Sequence, residues 1–145
     1  MTAADARAAI EGLIFTYAGR IDSGDLRGLA ELFRDAVYRG AQGGEYRGAD
    51  AVYGVLASRV MLYDGTPRTR HVTTNVIIDV DLAAGSATAR SYFTVIQAAD
   101  GVSLQPIVAG RYHDRFACEA GTWRFADRLI YMDLIGDLSR HLRAG

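Results

Sequence analysis

Arg68-Thr69-Arg70-His71-Val72-Thr73-Thr74-Asn75 runs directly into the apolar stretch Val76-Ile77-Ile78. Its β-branched residues and helix-breaking Pro67 read as a strand opening, and a strand alternates its side chains with period 2. On that reading His71, Thr73 and Asn75 share one face, while Val72, Thr74, Val76 and Ile78 share the other. An imidazole, a hydroxyl and an amide in a row suit the wall of a polar-bottomed pocket. A histidine whose bonds are satisfied within the sheet is the alternative.

Downstream, the strand pattern continues to the end of the chain. Thr69 to Asp81, Ser86 to Gln97, Gln105 to Cys118 and Thr122 to Leu134 read as four strands, with turns at Ala83-Ala84-Gly85 and Glu119-Ala120-Gly121. Strands of about 12–14 residues far exceed the usual five or six, so they must twist and curl around a hollow. Asp137 to Leu142 reads as a short terminal helix, with His141 at the surface.

Upstream lie the helices. Between Ala4 and Ile21, Ile10, Leu13, Ile14, Tyr17 and Ile21 recur at helical spacing, and Gly24 supplies a stop. Asp25 caps a second helix, Leu26 to Phe33. Ala36-Val37-Tyr38 is a short strand, followed by a glycine-rich turn through Gly40, Gly43 and Gly44. A third helix spans about Ala49 to Leu62, before Gly65 and Pro67. Helices followed by a long meander predict an α+β fold, a curved, mainly antiparallel sheet packed on three N-terminal helices. Residues 1–145 are expected to form one domain.

The composition narrows the chemistry. A formal net charge of −1 gives no global pull on nucleic acid or anionic membranes. All 16 basic residues are arginine, which removes Schiff-base chemistry on an internal lysine. Cys118 is the one cysteine, so no intrachain disulfide forms. There is no apolar leader after Met1 and no run that would span a bilayer, which predicts a cytoplasmic protein. The three histidines are scattered without metal-binding spacing, so no metal is expected, and no cofactor motif is present.

Asp22 is the anomaly among the helices. A carboxylate at a helix C-terminus faces the negative end of the macrodipole, so another group must hold it or it must face solvent. Paired with His71, it would fix the imidazole tautomer and raise its basicity, leaving a general base. Tyr17 stands about 140° around the helix from Asp22 and could donate from its phenol or serve as a core aromatic. In Arg111-Tyr112-His113-Asp114, alternation puts Tyr112 and Asp114 on one face and His113 on the other, and either face could line the hollow. Arg128 is a charge among apolar neighbours, suited to a developing oxyanion or to a surface ion pair.

Together, Tyr17-x4-Asp22-Ser23-Gly24-Asp25, Leu29-x2-Leu32-Phe33, Thr69-Arg70-His71-x3-Asn75, Gly110-Arg111-Tyr112-His113-Asp114 and Gly121-x-Trp123-Arg124-Phe125-x2-Arg128 resemble the SnoaL-like branch of the nuclear transport factor 2-like superfamily. The pattern is most similar to scytalone dehydratase, hexachlorocyclohexane dehydrochlorinase and bile-acid 7α-dehydratase. The resemblance implies a cone-shaped α+β barrel, cofactor-free elimination or isomerisation, and assembly as a trimer or dimer. It also implies Asp22 and His71 as catalytic base, Tyr17 as a catalytic phenol and Arg128 as an anion-binding group; from the strand faces themselves, Asn75, Tyr112 and His113 are expected as further substrate contacts. The expected substrate is a mostly apolar ring compound, polycyclic or steroid-like. The superfamily also contains transport factors and dioxygenase β subunits, so a non-catalytic binding or assembly protein is the competing expectation.

Overall fold

The computed structural model describes residues 1–144. Helix α1 spans Ala3–Asp22. Its start is a capping box: Thr2 Oγ1 accepts from the Asp5 N–H and Asp5 accepts from the Thr2 N–H. Ala6, Ile10, Ile14, Tyr17 and Ile21 form its buried stripe. The helix stops where Gly24 takes φ of 82°, a conformation suited to glycine. A Cβ there would overlap the Gly65 carbonyl oxygen, so this position also sets how closely the two loops meet.

Helix α2, Leu26–Glu31, starts from an Asp25 side-chain cap on the Gly28 N–H at 2.9 Å. It ends short of the expected Phe33, although Phe33 remains in the core. Strand β1, Val37–Gly40, pairs with β2, Glu45–Arg47, across the glycine-rich turn. That second strand was not anticipated, since Gly43 and Gly44 dominate the local pattern. Helix α3, Ala49–Arg59, is shorter than expected because Val60 is already extended and bridges to Leu142.

The long strands are β3 (Thr69–Asp81), β4 (Ser86–Ala99), β5 (Val102–Glu119) and β6 (Thr122–Ile135). They form the expected antiparallel meander in a six-stranded sheet of order β2-β1-β6-β5-β4-β3. The sheet is mixed because β1 runs parallel to β6. Register shifts within β3–β4, β4–β5 and β5–β6 bend the strands, and the helices pack on the inner face. Phe93, Tyr112, Phe116 and Phe125 project inward to meet the buried stripe of α1 and Phe33.

One irregularity decides which residues reach the interior. Between Thr74 and Ile77, β3 carries an extra residue relative to β4, and Asn75 takes φ of 54°. Before this bulge Thr69, His71 and Thr73 point inward; after it Val76, Ile78 and Val80 do. The expected single face through His71, Thr73 and Asn75 is therefore broken, and Asn75 faces out.

After β6, the chain returns to the end of α3, where Val60 bridges to Leu142. Residues 138–142 make a single turn, the Leu142 N–H donating to the Leu138 carbonyl at 2.9 Å, instead of the expected helix. The segment is stapled to the end of α3: the Met61 N–H donates to the His141 carbonyl and the Arg143 N–H to the Arg59 carbonyl, each at 2.8 Å.

Candidate active site

Asp22 and His71 meet where α1 ends against the start of β3. The ring Nδ1 of His71 lies 2.6 Å from Asp22 Oδ1, and the backbone N–H of His71 donates to Oδ2 at 2.7 Å. The hydroxyl of Thr69 donates to Oδ1 at 2.8 Å. Three donors thus hold a carboxylate that the dipole of α1 would otherwise disfavour. Burial pushes the Asp22 carboxyl up, but the bonds from His71, its charge and the Thr69 hydroxyl outweigh that and hold the group below the usual carboxylate range. A carboxylate on Nδ1 fixes the proton there and leaves Nε2 as the basic nitrogen.

His71 forms part of the wall of a cavity of about 150 Å³, while Asp22 stands behind the imidazole. A space of that scale holds a single benzene-sized ring. Most of the wall is apolar, built from Ile21, Leu56, Phe93, Val95, Val108 and Met132. The polar exceptions are His71, His141 and the phenols of Tyr17, Tyr38 and Tyr112. Tyr17 and Tyr38 share a hydrogen bond of 2.7 Å between their hydroxyls. Burial raises the pKa of all three phenols, so they stand as neutral donors at ordinary pH.

The structure separates the other expected contacts. Tyr112 lines the cavity, stacked on Phe93 with centroids 4.5 Å apart. Arg128 does not reach the cavity. It is fully buried beneath the rings of Tyr112 and Tyr17, at 3.7 and 4.2 Å from their centroids, in a bidentate pair with Asp114 at 2.8 and 2.9 Å. That carboxylate answers its charge through Nε and Nη2, while its buried Nη1 has no hydrogen-bond partner among the described residues, so it supports the cavity floor from outside the cavity. His113 lies on the outer face of the sheet, edge-on to Tyr131. Asn75 and His113 border a separate surface depression with Arg90 and Arg111, which removes both from contact with anything bound beside His71.

Three groups at the site escaped the sequence reading. Tyr38 lies on a four-residue strand whose pairing with β6 has no local signal. Thr69 was read as strand alone, though its place two residues before His71 puts it on the same face. His141 was expected at the surface among arginines, yet it is 4% exposed. Among the described residues, no three His, Cys, Asp or Glu side chains converge to hold a metal ion. Nor is any helix there long and apolar enough to cross a membrane.

The sequence pattern of the SnoaL-like domain matches residues 2–129. Among solved structures, a protein of unknown function from Mycobacterium tuberculosis is 28% identical, with a TM-score of 0.73 over 92% of this chain and 77% of that one. A candidate scytalone dehydratase from Novosphingobium aromaticivorans is 25% identical, with a TM-score of 0.71 over 90% of this chain and 86% of its own. The β subunit of a candidate aromatic-ring-hydroxylating dioxygenase from the same organism shares the fold at 21% identity, with a TM-score of 0.73 and 92% of each chain covered. No curated protein matches the chain.

Proposed function

The chain belongs to the SnoaL-like family of the nuclear transport factor 2-like superfamily, and on that premise we propose that it is a cofactor-independent lyase or isomerase using an Asp22–His71 general base. The observation that carries this reading is the 2.6 Å bond from Asp22 to the inner nitrogen of an imidazole in an apolar cavity wall. A group held in that way keeps its second nitrogen as the basic one, the arrangement a general base needs.

In the proposed reaction, His71 Nε2 takes a proton from a carbon next to a carbonyl. The electron pair moves onto the carbonyl oxygen, which the free proton of the Tyr17–Tyr38 pair stabilises. Return of the proton elsewhere gives isomerisation. Alternatively, the electron pair returns to form the C=C bond while the hydroxyl on the neighbouring carbon takes the proton from His71 and leaves as water, which gives elimination and restores the base. The cavity volume favours a one-ring substrate over a steroid-sized one.

The same reading includes self-assembly. Val72, Ile77, Tyr92 and Leu134 are exposed on the outer side of the sheet, away from the helices, and a second copy of this chain is the proposed cover. A thermal-shift screen with one-ring hydroxy ketones, followed by NMR of any stabilising compound incubated with the protein, tests the enzyme reading. Loss of water or migration of a double bond supports it; binding without turnover favours a carrier or assembly protein.

A further inference from the structure

His141 is a cavity-lining polar group that the proposed base leaves unexplained. Its ring stands edge-on to that of His71, with centroids 5.8 Å apart and planes at 65°, and both rings line the same cavity. Its Nδ1 is sealed from solvent and has no hydrogen-bond partner among the described residues. A buried polar atom without a partner is uncommon and asks for a reason. The backbone on either side is pinned to the end of α3, and the Arg140 carbonyl accepts from Tyr63 Oη at 2.6 Å and Gln97 Nε2 at 3.0 Å. The main chain that carries the ring is therefore held in place, and the ring itself is buried at the cavity wall.

The sealed nitrogen also selects a tautomer. An orphaned N–H costs more than an orphaned lone pair, so the proton belongs on Nε2, the nitrogen left to meet an occupant of the cavity. We propose that His141 is a substrate-binding group whose Nε2–H donates to an oxygen on the substrate beside the carbon that His71 deprotonates. This rests on the Asp22–His71 reading for the identity of that carbon. Burial, and then the nearby His71, lower the pKa of His141 to about 4, with Asp22 opposing, so the ring is uncharged at neutral pH. As the C–H bond breaks, its proton goes to His71 and its electron pair to the oxygen. His141 keeps its own proton and its hydrogen bond strengthens. The substrate class follows: a one-ring compound with a carbonyl or enolisable oxygen close to an acidic C–H.

The test uses 4-nitrophenol, whose oxygen imitates an enolate, and nitrobenzene, which offers a ring of similar size without that oxygen. Wild-type protein should bind 4-nitrophenol, and His141→Phe should weaken that binding about tenfold or more while leaving nitrobenzene within about twofold. His141→Gln, which retains an N–H donor, should recover part of the loss. In ¹⁵N-edited spectra of the wild-type protein, the His141 Nε2–H resonance should move downfield on adding 4-nitrophenol, a readout independent of whether either variant folds. No binding by the wild type, equal binding by His141→Phe, or an unmoved resonance overturns the proposal. Failure of the base reading looks different: Asp22→Asn would leave catalysed exchange unchanged while the phenol still binds through His141.

Discussion

Asp22 grips His71 at two points, ring Nδ1 on one carboxylate oxygen at 2.6 Å and backbone N–H on the other at 2.7 Å. The second bond ties the carboxylate to the strand and so joins α1 to β3, while the first orients the imidazole. One carboxylate therefore serves both the proposed chemistry and the packing of α1 on the sheet.

Acid sensitivity follows from that grip. The folded carboxyl titrates below its ordinary value, so its stabilising contribution is present above the unfolded pKa, near 3.8, and is lost as pH falls through the lower folded value. Wild-type protein should melt above Asp22→Asn at pH 5–7, and the gap in Tm should close as pH drops below about 4. Thermal melts across that range check it.

His141 adds a second acid-sensitive contribution in a different window. Its folded pKa, about 4, lies below the unfolded 6.5, so between those values the unfolded chain binds the extra proton. Stability is then lost as pH falls from about 6.5 to 4, by up to about 3 kcal/mol for 2.5 units at 1.36 kcal/mol each. Its titratable neighbours are His71 and Asp22, with the phenols of Tyr17, Tyr38 and Tyr112 in the same cavity. Urea unfolding of His141→Phe should show a flatter dependence across that window than wild type.

Arg128 and Asp114 are both fully buried, and removing one partner strands the other. Arg128→Met should cost about 3–5 kcal/mol, whereas Arg128→Met with Asp114→Leu should recover much of it. Equilibrium denaturation of the two variants separates a structural pair from a free anion site. A substrate-binding arginine would instead show its main effect in KM with stability unchanged.

Assembly through the outer sheet face predicts more than one copy per particle at micromolar concentration. Light scattering should show a dimer or trimer, and Leu134→Asp, at a side chain exposed in the single chain, should shift it to a monomer without loss of helical signal.

Much of this arrangement is legible in the sequence because it is written in local periods. Thr69 to Asp81 is bounded by Pro67 and a glycine turn, and its limits match β3. Ile10, Ile14, Tyr17 and Ile21 announce the buried face of α1. The Asp22–His71 contact is readable for a different reason: a carboxylate at the wrong end of a helix and a histidine on a polar strand face each lack a partner until they are joined. What failed depended on interactions distant in sequence. The bulge at Asn75 is set by pairing with β4, so simple alternation carried Asn75 to the wrong face. Arg128 is claimed by Asp114 from the neighbouring strand, and His141 is buried by backbone bonds to Met61. Neither partner lies close enough in sequence to leave a pattern.

The central claim is that Asp22 and His71 act as one base, and hydrogen exchange measures it most directly. One-ring β-hydroxy ketones incubated with the protein in D₂O report deuterium entry at the carbon next to the carbonyl by NMR. Wild-type protein should accelerate that exchange. Asp22→Asn should slow the catalysed rate by about 10²-fold or more with the fold intact, because the imidazole loses its orientation and counter-charge, and His71→Ala should do at least as much. Catalysed exchange that is unchanged in both variants would contradict the account and leave the pair a structural clasp between α1 and β3.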